Sequence, residues 1–146
     1  MFCYNSLFDN GQSVIWDVKY VKSFRDLDVY GLARELAMEI FEITKKFPKE
    51  EMYSLTDQVR RSSRSIGSQI AEAWAKRKYE RHFISKLTDS DGEQHETQHW
   101  IETATDCSYI SKEYADALLK KCYSIGKMLN SMIEKAPMFC NDSSAR

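Results

Sequence analysis

Leu55-Thr-Asp-Gln-Val-Arg-Arg-Ser-Ser-Arg-Ser-Ile-Gly-Ser-Gln-Ile-Ala-Glu-Ala-Trp74 is the stretch whose periodicity decides the fold. Leu55, Val59, Ser62/Ser63, Ile66, Ile70 and Ala73/Trp74 recur at steps of three and four, the period of one face of an α-helix. Ser54 or Thr56 can accept a hydrogen bond from a free first-turn amide, so a helix is expected from about 54–56 to about 77. Its inward stripe is rich in small residues, which lets a neighbouring helix approach closely.

Upstream, Tyr30, Ala33, Ala37, Ile40, Phe41, Thr44 and Phe47 predict a helix over about 27–47, with Asp26 or Asp28 as cap. Pro48 stops it, because proline disfavours a helical residue before it and has no amide to donate. Downstream, Phe83, Ile84, Leu87, Trp100, Ile101 and Ala104 mark a third helix over about 79–109. Its polar middle, Ser90-Asp91-Gly92, is expected to bend. Gly92 costs roughly 1 kcal/mol there relative to alanine, which predicts a packing reason for it. A fourth helix over about 112–135, capped by Ser111, carries a long seam that includes Leu118, Cys122, Ile125, Leu129 and Met132. Four helices with short connections make antiparallel neighbours, so the expected fold is all-α: a single-domain, up-and-down antiparallel four-helix bundle over 24–135. With only five glycines and two prolines in 146 residues, the chain lacks the turn residues an all-β fold needs.

The flanks read differently. Residues 1–23 alternate aromatic and polar side chains around Asp9-Asn10-Gly11 without helical period. A flexible arm, a short hairpin around Asn10-Gly11 and a mis-assigned start all fit; the domain division takes the flexible arm. Residues 136–146, after the fourth helix, are expected to be a disordered polar tail.

Composition excludes several classes. The formal net charge of −1 gives no global basic signature, so nucleic-acid binding must come from local clustering. Cys3, Cys107, Cys122 and Cys140 are scattered without a CxxC spacing and read as free thiols of a reducing cytoplasm. No apolar run approaches the ~20 residues that span a bilayer, and no secretion signal opens the chain. A soluble, cytoplasmic protein with no membrane partner is expected.

The local clustering is present. Gln58–Thr88 holds Arg60, Arg61, Arg64, Lys76, Arg77, Lys78, Arg81 and Lys86 against Glu72 and Glu80, a local charge of +6. Arg60, Arg61 and Arg64 fall on neighbouring turns, and arginine's planar fork suits phosphate. Lys76, Arg77, Lys78 and Arg81 surround the next interhelical turn. The plainer reading is a solvated face neutralised by the acidic run Asp89, Asp91, Glu93, Glu96, Glu102 and Asp106. Trp74, Tyr79, Phe83 and Trp100 are candidates for base stacking, although such spacing more often marks a core.

His95-Glu96-Thr97-Gln98-His99 fits H-E-x-x-H, which on a helix sets two imidazoles one turn apart to hold zinc beside a glutamate base. His82 lies upstream and no distal histidine follows, so no metal is assigned. Glu96-x-x-His99 is half a di-iron signature without its second half. No cofactor and no catalytic residue are assigned, and the chain is read as a non-enzyme.

Several motifs together resemble a known family. They are Phe24-Arg-Asp-Leu-Asp-Val-Tyr30, Glu35-Leu-Ala-Met-Glu-Ile-Phe41, Thr44-Lys-Lys-Phe-Pro-Lys-Glu-Glu51, Leu55-Thr-Asp-Gln-Val-Arg-Arg-Ser-Ser-Arg-Ser-Ile66, Ile70-Ala-Glu72, Gly92-Glu93, Glu96-Thr97 and Lys127-Met-Leu-Asn130. In this order they look like the bacterial four-helix-bundle family of 23S rRNA intervening-sequence proteins, which includes the accessory variability protein of diversity-generating retroelements. The resemblance covers 24 to about 134. It implies a bundle able to form a ring-like homopentamer and, in the retroelement branch, binding to a reverse transcriptase and to nucleic acid. The family's Ser-Ile-Pro-x-Asn-Ile-Ala-Glu-Gly is here Ser65-Ile-Gly-Ser-Gln-Ile-Ala-Glu-Ala73, with Gln69 in the place of asparagine. The expected function is therefore a non-enzymatic homo-oligomeric binding module that contacts RNA, DNA or a reverse transcriptase through the basic cluster. The alternatives are a purely structural assembly module and, behind it, a zinc hydrolase on His95, Glu96 and His99.

Overall fold

A computed structural model of the chain describes the backbone of residues 2–6 and 16–140, and side chains from residue 21 onward. Four long helices form the body: α1 Asp28–Thr44, α2 Leu55–Ala75, α3 Glu80–Asp106 and α4 Lys112–Glu134. Helix α1 packs on α2 and α4, α2 on α3, and α3 on α4, the cyclic neighbour order of an up-and-down bundle. Two short strands, β1 Phe2–Ser6 and β2 Trp16–Tyr20, precede the bundle and pair antiparallel from Phe2 opposite Tyr20 to Ser6 opposite Trp16. The Asn10-Gly11 turn expected between them lies outside the described residues. Among the residues whose side chains are described, the first core residue is Val21.

The caps differ from the expected ones. Asp26 turns its carboxylate back to accept from the Lys22 and Ser23 amides at 3.0 Å, closing a 3-10 turn with Ser23. Leu27 then enters α1 with no side-chain cap. Ser54 precedes α2 but does not cap it; the Glu51 carboxylate takes that place, accepting from the Leu55 amide at 3.3 Å and from the Tyr109 hydroxyl at 3.0 Å. These bonds, with one from the Ser54 hydroxyl first among them, hold the Glu51 carboxyl below its ordinary value. Ser111 caps α4 as expected, accepting from the Tyr114 amide at 3.1 Å.

The core is apolar with one polar seam. Leu36, Ile66, Phe83, Leu87, Leu118, Ile125 and Leu129 are fully buried, as is Cys122. Burial pushes the Cys122 thiol up to about 12. Ser62, Ser63, Ser90, Gln94 and Thr97 are also buried, along α2 and α3. The Ser90 hydroxyl donates to the Ile66 carbonyl at 2.9 Å, so the small polar stripe is satisfied across the interface.

Helix α3 runs unbroken through Ser90-Asp91-Gly92. Gly92 is exposed and a Cβ there would meet nothing within 4 Å, so no packing reason exists for it. The buried chain also continues past residue 135. Ala136–Phe139 form a last turn, α5, whose Phe139 is buried and stacks on Phe83 with ring centroids 5.7 Å apart. The apolar side chain of Phe139 anchors this part of the expected tail; residues 141–146 lie outside the described residues.

Candidate nucleic-acid interface

Residues 60–64 project from the middle of α2, beside the end of α1. Thr44 is buried there, and its hydroxyl accepts from Arg60 Nε at 2.7 Å. The Arg60 guanidinium lies 5.0 Å from the centroid of the Phe41 ring and that of Arg64 lies 5.6 Å from it. The Phe41 ring thus carries two guanidiniums, with the Lys45 ammonium also 4.7 Å from its centroid, a favourable cation–π arrangement. Neither arginine has a carboxylate partner among the described residues. Both border an open groove of about 470 Å³, which Thr56, Asp57, Arg61 and Ser68 also line.

Arg61 is committed differently. It reaches α3, pairing closely with Glu96, with Glu93 Oε2 at 3.7 Å from its Nη1. The Glu96 hydrogen bond holds the guanidinium more firmly protonated than usual. Burial pushes the Glu96 carboxyl up, but bonds from Trp100 Nε1 and Arg61 outweigh it and leave the group below its ordinary value. Lys86 likewise bridges Glu72 at 3.3 Å and Asp89 at 3.4 Å. Part of the acidic run therefore does neutralise part of the basic one within the chain.

Lys76 lies twelve residues after Arg64, roughly 18 Å along the helix axis. The seven candidate residues thus fall into two groups, one at mid-helix and one at the α2–α3 corner.

Residues 25–131 match the model of a family described as 23S rRNA-intervening sequence protein. The chain belongs to that family. It is also similar to a protein of unknown function from the S23 ribosomal protein family of Bacteroides thetaiotaomicron, solved as a crystal structure. The two share 30% identity with a TM-score of 0.67, over 73% of this chain and 95% of that one. No curated protein matches.

At the corner of this 23S rRNA-intervening sequence protein, Lys76 pairs with Glu72 at 3.0 Å. Arg77 donates from Nε to the Trp74 carbonyl and lies 3.5 Å from the centroid of the Trp74 ring. Lys78 stands 5.6 Å from the Tyr79 ring, and Arg81 is exposed on the first turn of α3. Trp74 and Phe83 are buried, and Trp100 is half-buried. Of the proposed stacking aromatics, only Tyr79 is exposed. Gln69 Oε1, where the resemblance expects asparagine, accepts from Lys86 Nζ at 3.5 Å.

The H-E-x-x-H side chains serve the helix and the α2–α3 contact. His95 Nδ1 donates to the Asp91 carbonyl at 2.8 Å, and His99 rests on Trp100. Glu96 is held by Arg61 and Trp100. Among the described residues no group of three or more His, Cys, Asp or Glu side chains is placed to hold a metal ion.

Three contributors escaped sequence reading. Phe41 and Thr44 looked like core positions of α1, yet Phe41 is the platform for Arg60 and Arg64. Tyr53, in the turn before α2, is 94% exposed and adjoins Met52, which lines the arginine groove. The exposed aromatic in a turn was the signal that could have found it.

Proposed function

We propose that this chain is a non-enzymatic, homo-oligomeric binding module of the cytoplasm that contacts the phosphate backbone of nucleic acid through Arg60 and Arg64. The observation that carries this reading is the pair of guanidiniums fixed over Phe41 beside an open groove, without carboxylate partners among the described residues. By contrast, the half-buried cations Lys76, Lys86 and Lys121 pair with acids. Guanidiniums held in place by Thr44 and an aromatic ring lose little freedom on meeting a phosphate. Lys78 and Arg81 extend the positive surface at the α2–α3 corner, and copies of the site in an oligomer would add by avidity. The ring-like pentamer and the reverse-transcriptase partner of related proteins remain proposals of the same kind.

The test is fluorescence anisotropy with labelled RNA at two salt concentrations, comparing the protein with an Arg60→Ala/Arg64→Ala variant. Binding that falls with salt and is lost in the variant supports the reading; no binding at low salt overturns it.

A second reading, a purely structural assembly module, is favoured by a groove of about 460 Å³ between α1 and α2. Tyr30, Ala37, Met38, Phe41, Gly67 and Ala71 line it. Its small floor and exposed Met38 suit a packed subunit contact. A stable oligomer without nucleic-acid affinity would select this reading.

A further inference from the structure

Resting on the nucleic-acid reading above, we infer that the groove beside Arg60 and Arg64 takes a single strand, with one base stacked on Tyr53. The groove is concave and holds about 470 Å³, the scale of a small-ligand pocket. Arg60 and Arg64 are four residues apart on α2, so their Cα atoms stand roughly 6 Å apart along the axis and both guanidiniums reach the same groove. Ser68 adds a hydroxyl to the wall. Asp57 lines the same groove, and its carboxylate opposes dense phosphate charge such as a triphosphate.

Tyr53 decides between strand forms. Its ring is 94% exposed and makes no ring contact among the described residues. Tyr53 directly follows Met52, which lines the arginine groove, and an exposed ring next to a cationic groove matches the stacking platform of single-strand binders. A duplex keeps its base faces stacked inside and presents none to Tyr53.

The experiment titrates the full-length protein with short labelled single-stranded RNA and with a duplex of the same sequence, using Tyr53→Ala and Tyr53→Phe variants. The exposure of Tyr53 makes both variants compatible with the fold, which thermal melting verifies. The expected result is tighter binding of the single strand. Tyr53→Ala should weaken that binding about five-fold or more, leave duplex binding unchanged, and be rescued by phenylalanine. Arginine-dependent binding that ignores Tyr53→Ala, or an equal loss for both strand forms, overturns the single-strand site while leaving the phosphate-binding reading intact. Absence of binding to either nucleic acid overturns both.

Discussion

The hydroxyls of Ser62 and Thr97 lie 2.9 Å apart, joining α2 to α3 inside a fully buried contact. Thr97 also bonds the Glu93 carbonyl at 2.8 Å, so its hydroxyl stays satisfied if Ser62 is lost. Ser62→Ala should therefore cost only about 0.5–1.5 kcal/mol in chemical denaturation. Ser62→Leu should cost more, about 1–3 kcal/mol, because the close approach of the two helices leaves no room for it.

Gly126 of α4 faces the buried Gln94 side chain of α3, and a Cβ on it would sit 3.0 Å from Gln94 Nε2. That amide is tied to Asp91 at 3.0 Å, and Gln94 Oε1 accepts from Gln98. Alanine gains about 1 kcal/mol of helix propensity, while a displaced buried amide costs about 1–3 kcal/mol. Gly126→Ala should be net destabilising in the parent, and stabilising once Gln94→Ala has removed the amide. A double-mutant cycle by denaturation reads this coupling.

Gly92 is the opposite case. It is exposed in mid-helix with open space around its Cα. Gly92→Ala should raise stability by up to about 1 kcal/mol, visible as a higher denaturation midpoint with unchanged slope.

Glu93 gives a pH dependence. One of its carboxylate oxygens is enclosed without a hydrogen-bond partner, and burial pushes the group above its ordinary value against the pull of Arg61. A raised folded-state value means that this carboxyl favours folding fully below the ordinary carboxylate range. The contribution is lost as pH rises through the folded value. Glutamine has no such dependence. The melting-temperature difference, Glu93→Gln minus parent, should be more positive at about pH 7 than at about pH 4. A difference independent of pH would contradict the burial argument.

The bundle was legible because each long helix repeats buried residues at three- and four-residue steps. Leu55, Val59, Ile66 and Ile70 of α2 and Leu118, Cys122, Ile125 and Leu129 of α4 occupy the core as their spacing predicts. Helix α1 was less legible. Its apolar stripe is wider than its core face, so Tyr30, Ala37 and Phe41 read as core but line a groove, while Val29 and Leu36 fill the interior. Helix α3 hid buried Ser90, Gln94 and Thr97, since polar residues at core positions leave no hydrophobic period. The basic cluster was visible as charge, but its division was not. Only the helix–helix contacts show that Arg61 is spent on Glu96 of α3 and Lys86 on Glu72 of α2, while Arg60 and Arg64 border the groove. Glu51 as the α2 cap depends on Tyr109, 58 residues away, beyond any local rule.

Cys122 makes the bundle its own clock. A thiol enclosed in the α4 seam and raised to about 12 is almost wholly protonated at neutral pH, and no alkylating reagent can reach it in the closed bundle. Cys107, exposed after α3, reacts without any opening and supplies the internal reference. Capture of label at Cys122, resolved by peptide mass from label at Cys3, Cys107 and Cys140, therefore counts the moments at which α4 leaves the core. When reclosing outruns capture, that rate reports the free energy of opening; with excess reagent it reports the opening rate itself.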